Sequence, residues 1–227
     1  MLGALGYADH SFYFFRKLHK CPPKYNFDAK ICLVRTNLMY YSTKLSNKQH
    51  LFDRRLKSYL QSKGLANLCK DNYNHLQIKN NEEPFFQNEL IFGWLTNNTY
   101  MYQQLDVLKH PLEQPYQVDF LKKCEELKNL SEKLKLYFEG KAAEHYSSFV
   151  SAYENALFRM YQYQIILYKM QEQNQKYPMT LEKAQNSFNE PEYRKNLFAS
   201  FDNLREKYDI LVNEKADNKI KRQLKLK

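Results

Sequence analysis

Between Ala142 and Met170, the residues Ala142, Tyr146, Phe149, Tyr153, Ala156, Met160, Tyr163, Leu167 and Met170 recur every three or four positions. That period is the one an α-helix needs to gather its apolar side chains on one face. A competing pattern lies inside it. Tyr161-Gln162-Tyr163-Gln164-Ile165 alternates ring and amide as a half-buried strand would, but the alternation fails at Ile165-Ile166-Leu167. The helical period therefore governs, and Ala143, Val150 and Leu157 widen the seam into a face. At roughly 1.5 Å per residue such a helix is about 43 Å long. Pro178 accounts for its end, because a proline pushes the preceding residue out of the helical region.

The same register, run backwards from Ala142, meets only charged residues: Glu139, Lys135, Glu132, Lys128 and Glu125. The seam must break near Gly140. Upstream, Phe120, Cys124, Leu127, Leu130, Leu134 and Tyr137 make a second seam, with Pro115 suited to its first turn and Gly140 to a left-handed cap. An αα-hairpin over about 116–176 is expected, with a single bent helix as the alternative.

Five glycines and seven prolines are too few for turn-rich folds or glycine-rich phosphate loops, and Leu, Lys, Glu and Gln favour helix. The expected fold class is all-α: an irregular helical bundle carrying the long hairpin and a long C-terminal helix. That last helix would bury Leu197, Phe201, Leu204, Tyr208 and Leu211, with Asn189 to Glu192 at capping spacing around Pro191. Thr180 is placed to cap a short helix before it. In the first half, Ser46 to Gln49 has capping-box spacing, opening a helix with Phe52, Leu56 and Tyr59 that ends near Gly64. Ile31-Cys32-Leu33-Val34 reads as a short strand or a buried helical turn. Pro84 opens a helix that packs Phe85, Phe86, Leu90, Ile91, Trp94 and Leu95, and Thr99 caps another running through Leu108.

Charge is unevenly placed. Residues 1–80 carry the whole net charge of +10, and residues 81–227 balance to zero. Two regions follow: a basic N-terminal region, 1–80, and a helical region, 81–227, that ends in a basic tail with Lys221 and Arg222. Residues 1–20 are acid-poor, and set Arg16, Lys17 and Lys20 among Phe12, Phe14, Phe15 and Leu18. This resembles in part an organelle-targeting presequence. The leading reading is a retained, packed amphipathic helix, with an internal address or an interfacial anchor as the alternatives. Arg54, Arg55, Lys57 and Lys63 make the densest basic face. These bases are candidate contacts for an anionic partner: an acidic protein, anionic lipid headgroups or RNA. A charged helix face is more often merely solvated. Lysine far outnumbers arginine, which weighs against specific phosphate or base recognition.

The nineteen tyrosines fit either seam-filling or contact with other proteins. Cys21, Cys32, Cys69 and Cys124 match no metal-binding spacing and are expected as reduced thiols, a Cys21–Cys32 bridge being the alternative. No dinucleotide fingerprint, His-Glu-x-x-His or Gly-x-Ser-x-Gly motif occurs. Glu82-Glu83 and Glu125-Glu126 are adjacent, so on a helix they point apart. No catalytic, cofactor-binding or metal residue is assigned, and no run of apolar residues is long enough to span a membrane.

In style, small, basic, glycine-poor helical chains of this kind are similar to accessory subunits of large mitochondrial assemblies, with no motif carrying the likeness. The resulting expectation is a non-catalytic subunit, peripheral to the mitochondrial inner membrane, in a respiratory chain complex or ATP synthase. It would bind other subunits through helix–helix contacts, with Tyr146, Phe149, Tyr153, Met160, Tyr163 and Leu167 as the packing seam. An RNA-binding protein of a mitochondrial ribosome and a soluble helical adaptor are the alternatives.

Overall fold

A computed structural model describes residues 23–78, 83–102 and 104–224, with side chains from Ile31 onward. The amphipathic segment 1–20, with Arg16, Lys17 and Lys20, lies outside the described residues, as does Cys21. Eight α-helices occur among the described residues: α1 (Pro23–Asp71), α2 (Asn88–Leu95), α3 (Asp106–Lys109), α4 (Tyr116–Tyr137), α5 (Lys141–Lys176), α6 (Leu181–Ser187), α7 (Glu190–Asn213) and α8 (Ala216–Gln223). A 3₁₀ turn, His75–Gln77, follows α1. The fold is all-α. The chain divides into two compact units, Met1–Leu51 and Phe52–Lys227. This division falls inside α1, apart from the charge boundary at residue 80.

The hairpin is formed by α4 and α5, and the long C-terminal helix is α7. Gly140 separates α4 from α5 with φ +73° and ψ −175°, a backbone state open to glycine alone. Here α5 is the central rod and packs chiefly against α7 and α4. Its seam is buried: Phe149, Tyr153, Ala156, Met160 and Tyr163 have no exposed surface. Burying each of the larger side chains contributes about 1.5–3 kcal/mol. Rings join the layers. Phe120 of α4 lies 4.8 Å from Tyr161 of α5 and 5.8 Å from Phe92 of α2. Phe85 lies 5.3 Å from Phe198 of α7.

Several local expectations are corrected. Residues 31–34 are neither a strand nor a buried turn, and Ser46 does not start a helix, because α1 runs unbroken from Pro23. Pro23 itself suits a first helical position. Within α1 the Thr36 and Thr43 hydroxyls donate to the carbonyls four residues back, Cys32 O and Met39 O, at 2.8 Å. Gly64 does not end the helix either. The buried Leu65, Ala66 and Cys69 continue its apolar face, and burial outweighs the cost of one glycine, about 1 kcal/mol.

The helix expected from Pro84 begins only at Asn88. Here the Phe85 N–H donates to the Tyr163 phenol at 2.7 Å and the Asn88 amide to Met160 O at 2.9 Å. These tertiary bonds draw the chain onto α5 and leave Phe86 and Leu90 exposed. No long helix starts at Thr99. The Asn98 side chain accepts from Met101 N–H at 2.8 Å, which favours a turn over a helix. Thr180 caps α6 by accepting from Lys183 N–H at 3.4 Å. Asn189 makes no side-chain cap and instead adopts a left-handed backbone, φ 52°.

Candidate interaction surface

From Val34 to Leu51 every residue of α1 is exposed. Along this stretch Ile31, Val34, Leu38, Tyr41 and Leu45 follow spacings of three, four, three and four. At 100° per residue they fall within about 80° of the helix circumference. Their exposure rises from 41% at Ile31 to 67% at Leu45. A surface helix ordinarily buries such a stripe. The surrounding groups find partners within the helix. The two threonine hydroxyls back-bond, the Tyr40 and Tyr41 rings meet edge to face at 5.7 Å, and Lys44 Nζ lies 6.0 Å from the Tyr40 ring. Met39 and Tyr40 are also exposed but lie off the stripe.

The basic candidates divide sharply. Arg55 is occupied inside the fold: its Nε donates to Tyr137 O at 2.6 Å and its Nη1 to Gln223 O at 3.4 Å. These carbonyls lie at the C-terminal ends of α4 and α8, where a cation complements the helix dipole. Lys63 Nζ is 3.4 Å from Asp217 Oδ1, and Lys221 Nζ is 2.9 Å from Asp217 Oδ2. The phenols of Tyr59 and Tyr146 donate to the same carboxylate at 2.8 and 3.0 Å. Burial alone would raise the Asp217 pKa. The bonds from Lys221, Tyr59 and Tyr146 and the charge of Lys63 outweigh it and hold the carboxyl at about 2. Burial and the bond to Asp217 push the Tyr59 phenol up to about 12. Arg54, Lys57 and Arg222 are exposed.

The tyrosines resolve in a similar way. Tyr153 donates to Leu95 O, Tyr161 to Pro111 O, Tyr163 to Glu190 and Tyr73 to Asp209. Together with Tyr59 and Tyr146, much of the tyrosine content thus ties helices together. The packing-seam candidates Tyr146, Phe149, Tyr153, Met160, Tyr163 and Leu167 are all buried within this fold. Reading Ile31–Val34 as a strand or buried turn, and a helix start at Ser46, hides the register of the exposed stripe of α1. The three-four spacing itself was present in the sequence.

A groove of about 550 Å³ runs past Phe86, Leu167, Tyr168, Met170, Met179 and Leu181. Glu89 is the one ionisable carboxylate in its wall, and it gathers no acid–base pair. Two histidine rings lie against aromatic rings: His75 is tilted 4.0 Å from Trp94, and His110 is stacked 4.9 Å from Tyr116. Among the described residues, no group of three or more His, Cys, Asp or Glu is placed to hold a metal ion, and no helix is long and apolar enough to cross a membrane. Burial pushes the Cys69 and Cys124 thiols up to about 12, and Cys32 is an exposed free thiol. No protein-family model, curated protein or solved structure matches this chain.

Proposed function

We propose that the chain is a non-catalytic helical subunit of a larger assembly, docked to a neighbouring protein through residues 31–51 of α1. One observation carries the reading. The apolar stripe Ile31, Val34, Leu38, Tyr41 and Leu45 is exposed over about 21 Å of helix. Exposed apolar patches of this extent mark interaction sites. The setting we propose is the periphery of a mitochondrial inner-membrane complex, of the respiratory chain or ATP synthase. The acid-poor, aromatic and basic sequence of residues 1–20 supports that setting, and its bases and the exposed Arg54, Lys57 and Arg222 would meet acidic subunits or anionic headgroups. Binding to RNA is the less favoured reading, because Arg55, Lys63 and Lys221 are engaged within the fold. Lysine-directed crosslinking in the native source, read by mass spectrometry, tests the proposal. Crosslinks from Lys44 to one protein of an inner-membrane complex are expected. Crosslinks confined to ribosomal components, with association that falls steeply with salt, would overturn it.

A further inference from the structure

The proposal that α1 docks a protein leaves the chemistry of that protein open, and the charge pattern around the stripe constrains it. The spacings of three, four, three and four are those of the a and d positions of a heptad: Ile31, Leu38 and Leu45 at a, Val34 and Tyr41 at d. A branched residue at a or d and leucines between them suit knobs-into-holes packing. The stripe spans about 80° of the helix, narrower than the face of 100° or more by which a helix lies on a globular core. It is also narrow for a helix lying in a lipid interface, which presents a broad apolar side. In this register Arg35, Ser42 and Gln49 occupy e, and Asn37 and Lys44 occupy g. These positions border the seam on either side and meet the partner's own flanking side chains.

Residues 29–52 contain Lys30, Arg35, Lys44 and Lys48 and no Asp or Glu. The acids that balance residues 81–227 are missing from this stretch, whose apolar seam is uncovered. A second copy of the chain would bring bases and neutral side chains against their like, with no attractive pair at any flanking position. A helix with acidic flanks would pair with Arg35 and Lys44 along the whole seam.

We infer that the occupant of the Ile31–Val34–Leu38–Tyr41–Leu45 seam is an amphipathic helix of a different protein, with Glu or Asp bordering its own apolar stripe, forming a coiled coil with residues 31–45. The bases set partner choice by rejecting a second copy as well as by attracting acids. This inference rests on the protein-docking reading above and names the chemistry of the partner.

The test uses the full chain and two synthetic helices of about four heptads with Ile at a and Leu at d, one carrying Glu at every e and g position and the other Lys. Fluorescence anisotropy should show the Glu helix binding at least about tenfold more tightly than the Lys helix. Leu38→Lys should abolish binding. Because Leu38 is exposed, the variant should retain the circular dichroism and melting behaviour of the parent. The double variant Arg35→Glu/Lys44→Glu should reverse the preference towards the Lys helix. Equal binding of both helices or binding of neither would overturn the inference. So would self-association abolished by Leu38→Lys, or seam-dependent binding to vesicles of anionic lipid in place of the Glu helix. Crosslinking separates the two levels. If the Glu helix fails while Lys44 still crosslinks to a protein neighbour, only the acidic-helix inference falls. If no protein neighbour crosslinks, the subunit reading falls as well.

Discussion

Nε of Arg194 lies 3.3 Å from Oε1 of Glu190, one turn earlier on α7, with the carboxylate side chain fully buried and the guanidinium 5% exposed. The pair is part of a network. The Tyr163 phenol donates to Glu190 Oε1 and accepts from the Phe85 N–H, the Gln185 amide donates to Glu190 Oε2 at 3.4 Å, and Arg194 also donates to Glu83 O. It joins α5 and α7 to the chain entering α2. Buried ion pairs contribute little net stability against an apolar pair, but removing one partner strands the other charge.

Glu190→Ala is therefore expected to destabilise the protein by about 3–5 kcal/mol. Replacing both Glu190 and Arg194 with Leu should cost much less than the sum of the two single changes. Tyr163→Phe leaves the Phe85 N–H and the carboxylate short of a partner, an expected loss of about 1–3 kcal/mol. Urea denaturation of Glu190→Ala, Glu190→Leu, Arg194→Leu, the double Leu variant and Tyr163→Phe measures all of these, and an additive double variant would show that the pair does not act as a unit.

Asp217 binds α8 to α1 and α5. Its folded pKa of about 2 lies below the ordinary 3.8. The stability from this shift is fully present above the ordinary value and is lost as pH falls towards about 2. Asp217→Asn should cost about 1–2 kcal/mol near neutral pH, and its deficit against the parent should shrink between about pH 4 and pH 2. Tyr59 behaves oppositely. Its raised pKa of about 12 adds stability present below the ordinary phenol range and lost as pH rises through about 12. Thermal melts across pH on the parent, Asp217→Asn and Tyr59→Phe check both signs.

A Cβ at residue 140 would meet no atom within 4 Å, so space does not limit substitution there. The backbone does, at φ +73°. Gly140→Ala should cost about 1–3 kcal/mol through strain at the turn between α4 and α5. Chemical denaturation gives the value. A loss comparable with that of an exposed alanine substitution would contradict the conformation described for this turn.

In a Cys21→Ser background, Cys32 should react with Ellman's reagent within the mixing time of a bench assay. Cys69 and Cys124 are buried and their thiols are pushed up to about 12. The thiolate is the reactive species, so these two should label only as fast as the protein opens. One fast thiol and two slow ones are expected, with all three fast in denaturant.

Local periodicity was enough to establish what kind of object this chain is. The seams Phe120–Leu134 and Ala142–Met170, the break at Gly140 and the cap at Thr180 are short-range patterns. Helix formation depends on neighbours three and four residues away, so these were legible from the sequence alone, as were the all-α class and the hairpin. The unbroken course of α1 through Ser46 and Gly64 was not legible. At Gly64 it depends on burial of Leu65, Ala66 and Cys69, which overrides the breaking signal. The delayed start of α2 depends on Tyr163, whose phenol takes the Phe85 N–H from a distant part of the chain. Likewise, nothing near Arg55 in sequence marks it as the ligand of Tyr137 O and Gln223 O, or separates it from its neighbour Arg54. The sequence by itself determined the helices and the placement of charge, because both are sums over neighbours. Only the tertiary structure decided which phenols and bases are consumed inside the fold and which apolar stripe is left uncovered, because hydrogen bonds and burial are settled between residues that meet only after the chain has folded.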